Sequence, residues 1–264
     1  MSIITISRGS FYRGKQVAEK VAQKLGFECF SRDTVLEGLD EFHLPEIKLV
    51  RGLNDAVSIL ERFSYGKERF IMKIRWALLD YFRKDNIVYH GLAGHYFVKD
   101  LSHALKIRII ADLESRVKEE MERENISAPQ ARSILKKDDE ERRKWSLYLY
   151  GIDTWNPDQY DMVLNITAIT VDDAVDIIVN TINFQRFQTT PASQKKIENL
   201  ALAAKVHSSL FEYPNAKVNA REGAVIVTIK APLDQKQAII TNVENIIQDI
   251  SGVKEIDVHF EPYL

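Results

Sequence analysis

Ile3-Ile4-Thr5-Ile6-Ser7-Arg8-Gly9-Ser10-Phe11-Tyr12-Arg13-Gly14-Lys15-Gln16-Val17-Ala18 is the stretch that decides the fold. Its first five residues are β-branched or small and predict a short strand. Residues 14–25 place Val17, Ala18, Val21, Ala22 and Leu25 on one helical face. Between strand and helix, Gly9 to Lys15 fit the spacing G-x-x-x-x-G-K, with Gln16 where a hydroxyl residue is usual. Glycines let backbone N–H groups turn toward a phosphate, and the helix aims its partial positive end at the same point. Lys15 adds a point charge for the outer phosphates, and Arg13 is placed to add a second. Gln16 offers magnesium an amide oxygen in place of a hydroxyl, so the loop reads as better suited to binding than to fast chemistry.

Working outward, short apolar runs at residues 28–31, 86–90, 106–110 and 162–166 are further strand candidates. Helical patterns fall between them at 55–83 and 113–124. This alternation predicts a parallel sheet covered by helices, with ligands at the carboxyl ends of its strands. A polar, proline-bearing stretch then predicts a linker. After it come a helix over 196–210, strands over 216–221 and 224–229, a helix over 234–250 and a last strand. The expected division is residues 1–186, a linker at 187–194, and a small α+β unit at 195–264.

Composition narrows the function. A chain of 264 residues with 45% hydrophobic and 28% charged residues has room for two cores. Its net charge of −2 supplies no basic footprint for nucleic acid. The single Cys29 excludes an intrachain disulfide and a multi-cysteine zinc site, and its apolar neighbours predict a buried thiol. No apolar run approaches the ~18 residues of a membrane span and no secretory leader is evident, so a soluble cytoplasmic protein is expected.

Three groups of residues resemble the cytidylate kinase-like family. The first is the opening strand, loop and helix through Leu25-Gly26. The second is Asp139-Glu140-Glu141-Arg142 followed by Trp145, Tyr148, Tyr150-Gly151 and Trp155. The third is Tyr160-Asp161-Met162-Val163-Leu164-Asn165 with the acidic helix beginning at Val171. The resemblance implies a P-loop, nucleoside monophosphate kinase-like α/β fold with a helical insert and a mobile lid. It implies ATP with Mg²⁺, a nucleoside triphosphate donor and a small phosphate acceptor. Gly9, Ser10, Arg13, Gly14, Lys15, Gln16 and Val17 are the expected nucleotide-binding residues. Lys15, Arg142 and Arg143 are the expected catalytic charges, and Arg32, Asp33, Arg75 and Gly91 are expected on the acceptor side. His90 and His95 read as pocket lining, not as metal ligands.

Departures accompany the matches. Gly91 is followed by Leu92, where related cytidylate kinases carry an arginine, and Arg116 is followed by Glu119-Glu120. On pattern alone, Arg142 also reads as one half of a solvated i,i+4 pair with Asp138. The C-terminal order helix, strand, strand, helix, strand, with Gly223 before a valine-rich strand, resembles a BON domain. That resemblance implies a regulatory or protein-binding tail. Residues 195–264 carry eight Lys or Arg against nine Asp or Glu, which argues against a lipid-binding surface. Two functions stay open on these grounds: a phosphotransferase, and a nucleotide-binding sensor that signals through its tail.

Overall fold

The computed structural model describes residues 2–9, 12–38 and 60–262. Ser10 and Phe11 of the loop, and the start of the helical pattern at 55–83, lie outside the described residues. Among those described, the chain forms two compact units.

The first unit contains β1 (Ile3–Arg8), α1 (Tyr12–Leu25), β2 (Glu28–Ser31) and α2 (Arg32–Gly38). The sheet continues with β3 (Ile87–His90), β4 (Ala104–Ile110) and β5 (Met162–Asn165), in the order β2-β3-β1-β4-β5. All four pairings are parallel. β1 is central, so Ile3, Ile4 and Ile6 are buried from both faces, as a strand inside a covered parallel sheet must be. Val17, Ala18 and Val21 of α1 pack with Ala174, Val175 and Ile178 of α7 (Val171–Ile182) in the core against β1 and β4. Lys20 and Lys24 reach Asp172 and Asp176 across that helix pair, the first at 2.6 Å.

The remaining helices carry the polar rim. α4 (Gly94–Phe97) follows β3, and α5 (Leu113–Glu124) follows β4 with Asp112 accepting from the Ser115 N–H as its cap. α6 (Ala128–Tyr150) opens on a capping box of Ser127 and Gln130 and stops at Gly151, whose φ of +66° suits glycine. Val117, Ala131 and Leu135 join α5 to α6.

The second unit combines two separate pieces of chain. These are residues 60–83, which contain α3 (Gly66–Phe82), and residues 190–264. The second piece folds as α8 (Pro191–Ser209), β6 (Lys217–Arg221), β7 (Ala224–Ala231), α9 (Lys236–Ile247) and β8 (Glu255–Pro262). The sheet order is β6-β7-β8, with β6–β7 antiparallel and β7–β8 parallel. α3 docks on α8: Lys73 Nζ donates to the Ser208 carbonyl at 2.9 Å, and the Arg69 guanidinium lies 3.8 Å from the Phe211 ring centre.

These units are drawn differently from the boundaries read in the sequence. The helical insert groups with the C-terminal segment, because α3 has α8 as its partner. The stretch at 187–194 is also anchored and does not run free. Phe187 is buried in the first unit's core, and its carbonyl accepts from Ser2 Oγ at 2.7 Å. Thr189 Oγ1 donates to Asp85 at 2.7 Å, and Thr190 caps α8, with Pro191 at its first position. None of the described helices is long and apolar enough to cross a membrane.

Phe187→Ala should lower the stability of the first unit by roughly 3–5 kcal/mol, the usual cost of emptying a buried aromatic site. Denaturant unfolding followed by circular dichroism measures it. A change below about 0.5 kcal/mol would mean that Phe187 is not part of that core.

Candidate active site

The carboxyl ends of β1 and β3 deliver the site. α1 begins at Tyr12, two residues ahead of the start expected from the sequence, so Gly14, Lys15 and Gln16 sit in its first turns. Gly14 lies within the helix and is required by a neighbour. A Cβ there would lie 2.8 Å from Arg8 Cδ and 2.9 Å from Arg8 Cβ. Gly9 is equally constrained, since a Cβ would come within 2.9 Å of Asp139 Oδ1. Asp139 is held there by a 2.7 Å ion pair with Arg116, both side chains largely buried. The loop is therefore bounded by Arg8 beneath Gly14 and by the Arg116–Asp139 pair over Gly9.

Three arginines share one electrostatic neighbourhood. Burial lowers the Arg142 guanidinium to about 10, and the nearby positive charges of Arg8 and Arg32 push in the same direction. Asp138 and Asp139 offset part of this without forming an ion pair with Arg142. Its Nε is enclosed and bonded to nothing among the described residues. Arg8 and Arg32 are also lowered, by burial above all, each partly offset by Asp33 and the ring of Tyr89. Arg32 Nη1 lies 3.8 Å from Asp33 Oδ1, and its guanidinium lies 6.0 Å from the Trp145 ring centre. Like charges brought together and taken out of water are unfavourable unless an anion joins them.

Tyr89 forms the wall between these arginines and the loop after β3. It is fully buried, and burial raises its phenol. Its hydroxyl donates to the Leu92 carbonyl at 3.2 Å. A Cβ on Gly94 would lie 2.3 Å from its ring, and one on Gly91 would lie 2.7 Å from its hydroxyl. The two glycines bracketing Leu92-Ala93 thus make room for a tyrosine. His90 and His95 are buried beside them. His95 stacks on Tyr160 at 4.6 Å between centroids, and Tyr160 Oη lies 3.1 Å from Ser7 Oγ. Both imidazoles are lowered to about 4, by burial first and then by neighbouring cations.

The residues expected from the sequence fall into distinct places. Gly9, Gly14, Lys15, Gln16, Arg32, Asp33, Gly91 and Arg142 gather around the carboxyl end of the sheet. Lys15 is half-exposed and lies 3.6 Å from Glu19. Val17 is buried in the helix–sheet core and acts by seating α1. Arg13 pairs with Glu119 beside Gln16, in a cleft that also takes in Arg116 and Glu120. Arg143 points elsewhere: its Nη2 donates to Asp153 at 2.6 Å and its guanidinium lies 4.6 Å from the Trp155 ring centre. Arg75 belongs to the second unit. The helical pair expected between Asp138 and Arg142 is not formed, because the carboxylate that closes an ion pair on this helix face is Asp139, with Arg116. Arg8 was not among the expected site residues. Its signal was an arginine ending a strand whose other residues are all buried.

A sequence model of the cytidylate kinase-like family matches residues 3–168. The chain belongs to the cytidylate kinase-like family. The cytidylate kinase of Archaeoglobus fulgidus is 26% identical over 192 residues, covering 70% of this chain and 97% of its own. That of Sulfolobus acidocaldarius is 30% identical over 168 residues, covering 63% of this chain and 86% of its own. A solved structure of an uncharacterized protein from Eubacterium ventriosum shares the fold, with a TM-score of 0.51 at 23% identity, over 69% of this chain and 98% of its own. The family match ends shortly after β5, so it takes in the whole parallel sheet and the arginine cluster.

Two outcomes follow from the charges. Arg142→Met should leave the ligand-free melting temperature unchanged or higher while weakening triphosphate binding at least tenfold; a lower melting temperature with unchanged affinity would assign Arg142 a purely structural role. The histidines act on pH dependence. His90 and His95 have folded-state values below the ordinary 6.5, so the stability of their neutral forms is fully present above about 6.5 and lost as pH falls toward about 4. His95→Phe should flatten that part of the melting-temperature profile, and a profile identical to wild type would contradict the buried, neutral imidazole.

Proposed function

We propose that the chain is an ATP-dependent phosphotransferase that moves a phosphoryl group onto a nucleotide or a similar small acceptor. The observation that carries this reading is Arg142, whose Nε is enclosed and which forms no ion pair among the described residues, clustered with Arg8 and Arg32 at the carboxyl end of β1. Phosphoryl transfer spreads negative charge over the moving group, and fixed cations stabilise it without covalent chemistry. The names of the two archaeal relatives support the same reading.

The residues fit a triphosphate. The first turn of α1 presents unsatisfied N–H groups, Lys15 supplies a mobile charge, and Gly9 and Gly14 keep the approach open. Magnesium, when bound with the phosphates, would neutralise charge between the outer two. The side chain in position to help hold it is Gln16, through one amide oxygen. No group of three or more His, Cys, Asp or Glu suited to a metal occurs among the described residues. Arg32 and Asp33, beside Tyr89 and Gly91, face the acceptor in this reading. Leu92 in place of an arginine leaves the acceptor's identity open to groups other than CMP.

A second reading, a nucleotide-binding sensor with little turnover, is favoured by Gln16 and by two acidic residues that already occupy cations at the loop. Glu119 holds Arg13 and Asp139 holds Arg116. In either reading the αββαβ segment after Thr190 serves as a BON-like regulatory or protein-binding module.

ATP turnover against a panel of nucleoside monophosphates, with binding measured in parallel, separates the two readings. Turnover supports the phosphotransferase, binding alone supports the sensor, and the absence of both would overturn the phosphate site itself. Lys15→Ala removes a charge-assisted contact of about 1.5–3 kcal/mol, so ATP affinity should fall roughly ten- to a hundredfold. Gln16→Thr should raise turnover or sharpen its magnesium dependence in the phosphotransferase, and change only the magnesium dependence of binding in the sensor.

A further inference from the structure

The second unit contains a cavity of its own. It measures about 800 Å³ and is lined entirely by residues of that unit. This is within the range of small-ligand sites, roughly 300–1,000 Å³. Four separated stretches of chain converge on it: the second half of α3, α8 from Lys195 to Lys205, the β6–β7 turn, and the turn before β8.

Two glycines bring the turns together. Gly223 and Gly252 have φ of +99° and +101°. The Gly223 carbonyl accepts from the Lys254 N–H at 2.9 Å, which fastens one turn to the other. A Cβ on Gly223 would lie 2.8 Å from the Lys254 side chain, and one on Gly252 would lie 3.3 Å from Leu202. Both positions therefore favour glycine, chiefly by backbone conformation.

The lining has one aromatic side chain, Trp76, whose ring centre lies 5.7 Å from Lys73 Nζ, and an unequal balance of charge. Its carboxylates are already engaged. Asp80 accepts from Arg83 at 2.7 Å, Glu222 from Lys195 at 2.5 Å, and Glu198 from Gln194 at 3.1 Å. Asn199 Oδ1 accepts from the Glu222 N–H at 2.8 Å, leaving its amide N–H₂ as a donor. Lys205 and Lys254 form no ion pair among the described residues, although Lys254 lies within the field of Glu222. The cavity thus offers a ring-sized apolar face, two uncommitted ammonium groups and an amide donor.

We propose that this cavity is a binding site for a small aromatic anion: a planar ring against Trp76, with its phosphate or carboxylate between Lys205 and Lys254. It is separate from the phosphate loop and would make the second unit a ligand-responsive module. The proposal does not depend on whether the first unit transfers phosphate.

Hydrogen–deuterium exchange of the full chain, with cytidine 5′-monophosphate, 4-hydroxybenzoate or inorganic phosphate, tests it. At least one of the two aromatic probes should protect residues 199–205 and 251–254, and that protection should persist in Lys15→Ala. Protection by the nucleotide alone identifies a nucleotide effector, and by the benzoate alone an aromatic carboxylate. Lys254→Glu should weaken the protecting probe at least tenfold, with Lys205→Gln as a milder variant if the first fails to fold. Protection by inorganic phosphate as strong as by either ring, protection unchanged in both lysine variants, or changes confined to the first unit would each overturn the proposal.

Discussion

β1 is hydrogen-bonded on both sides by parallel partners, β3 and β4, and covered on both faces, so no residue from Ile3 to Ser7 has an alternative environment. The rest of the first unit follows from that confinement. A strand with no freedom along its length delivers its last residues to one fixed place, and those are Arg8 and Gly9. α1 must then start where the sheet ends, and its own burial against α7 prevents it from tilting away. The phosphate loop is consequently held from both ends by apolar packing, and the charged groups around it contribute little to holding the fold.

Those charged groups are placed at some cost. Arg8, Arg32 and Arg142 are drawn out of water and toward one another, and Asp33, Asp138 and Asp139 moderate the field in part. Replacing one of them by an apolar side chain would relieve the repulsion, so their presence calls for a reason other than stability. An anionic ligand supplies it. The Arg116–Asp139 pair shows how the ligand-free chain limits the problem, since one cation at the loop is neutralised from α6 while Arg142, three residues further on the same helix, is not.

Much of this was legible in the sequence because local pattern determines it. The run at 28–31 became β2 with the same bounds, and the helix at 113–124 became α5. The parallel sheet followed from the alternation of strands and helices. What failed to show is what depends on distant partners. Arg143 fits a lid pattern as well as Arg142 does, and only the fold reveals that Asp153 and Trp155 claim it. Arg8 reads as an ordinary strand end until α1 is placed against it. Gly91 reads as an acceptor-side residue, yet it and Gly94 also accommodate Tyr89. Nor does the period of α3 say which neighbour its apolar face meets, and that is why the insert was assigned to the first unit.

The assignment of α3 to the second unit has a consequence for how the protein is made. The chain enters that unit at residue 60, leaves it after 83 and returns only at 190. On the ribosome, α3 emerges before its partner α8 has been synthesised. At about 5–20 residues per second the interval is on the order of ten seconds. For that time Lys73 lacks the Ser208 carbonyl and Arg69 lacks the Phe211 ring that they meet in the finished fold. The nascent chain therefore carries α3 without its helical partner while the rest of the first unit is synthesised. A truncation at the Thr189–Thr190 junction would make that state permanent, and a C-terminal fragment starting there would lack the helix that covers α8.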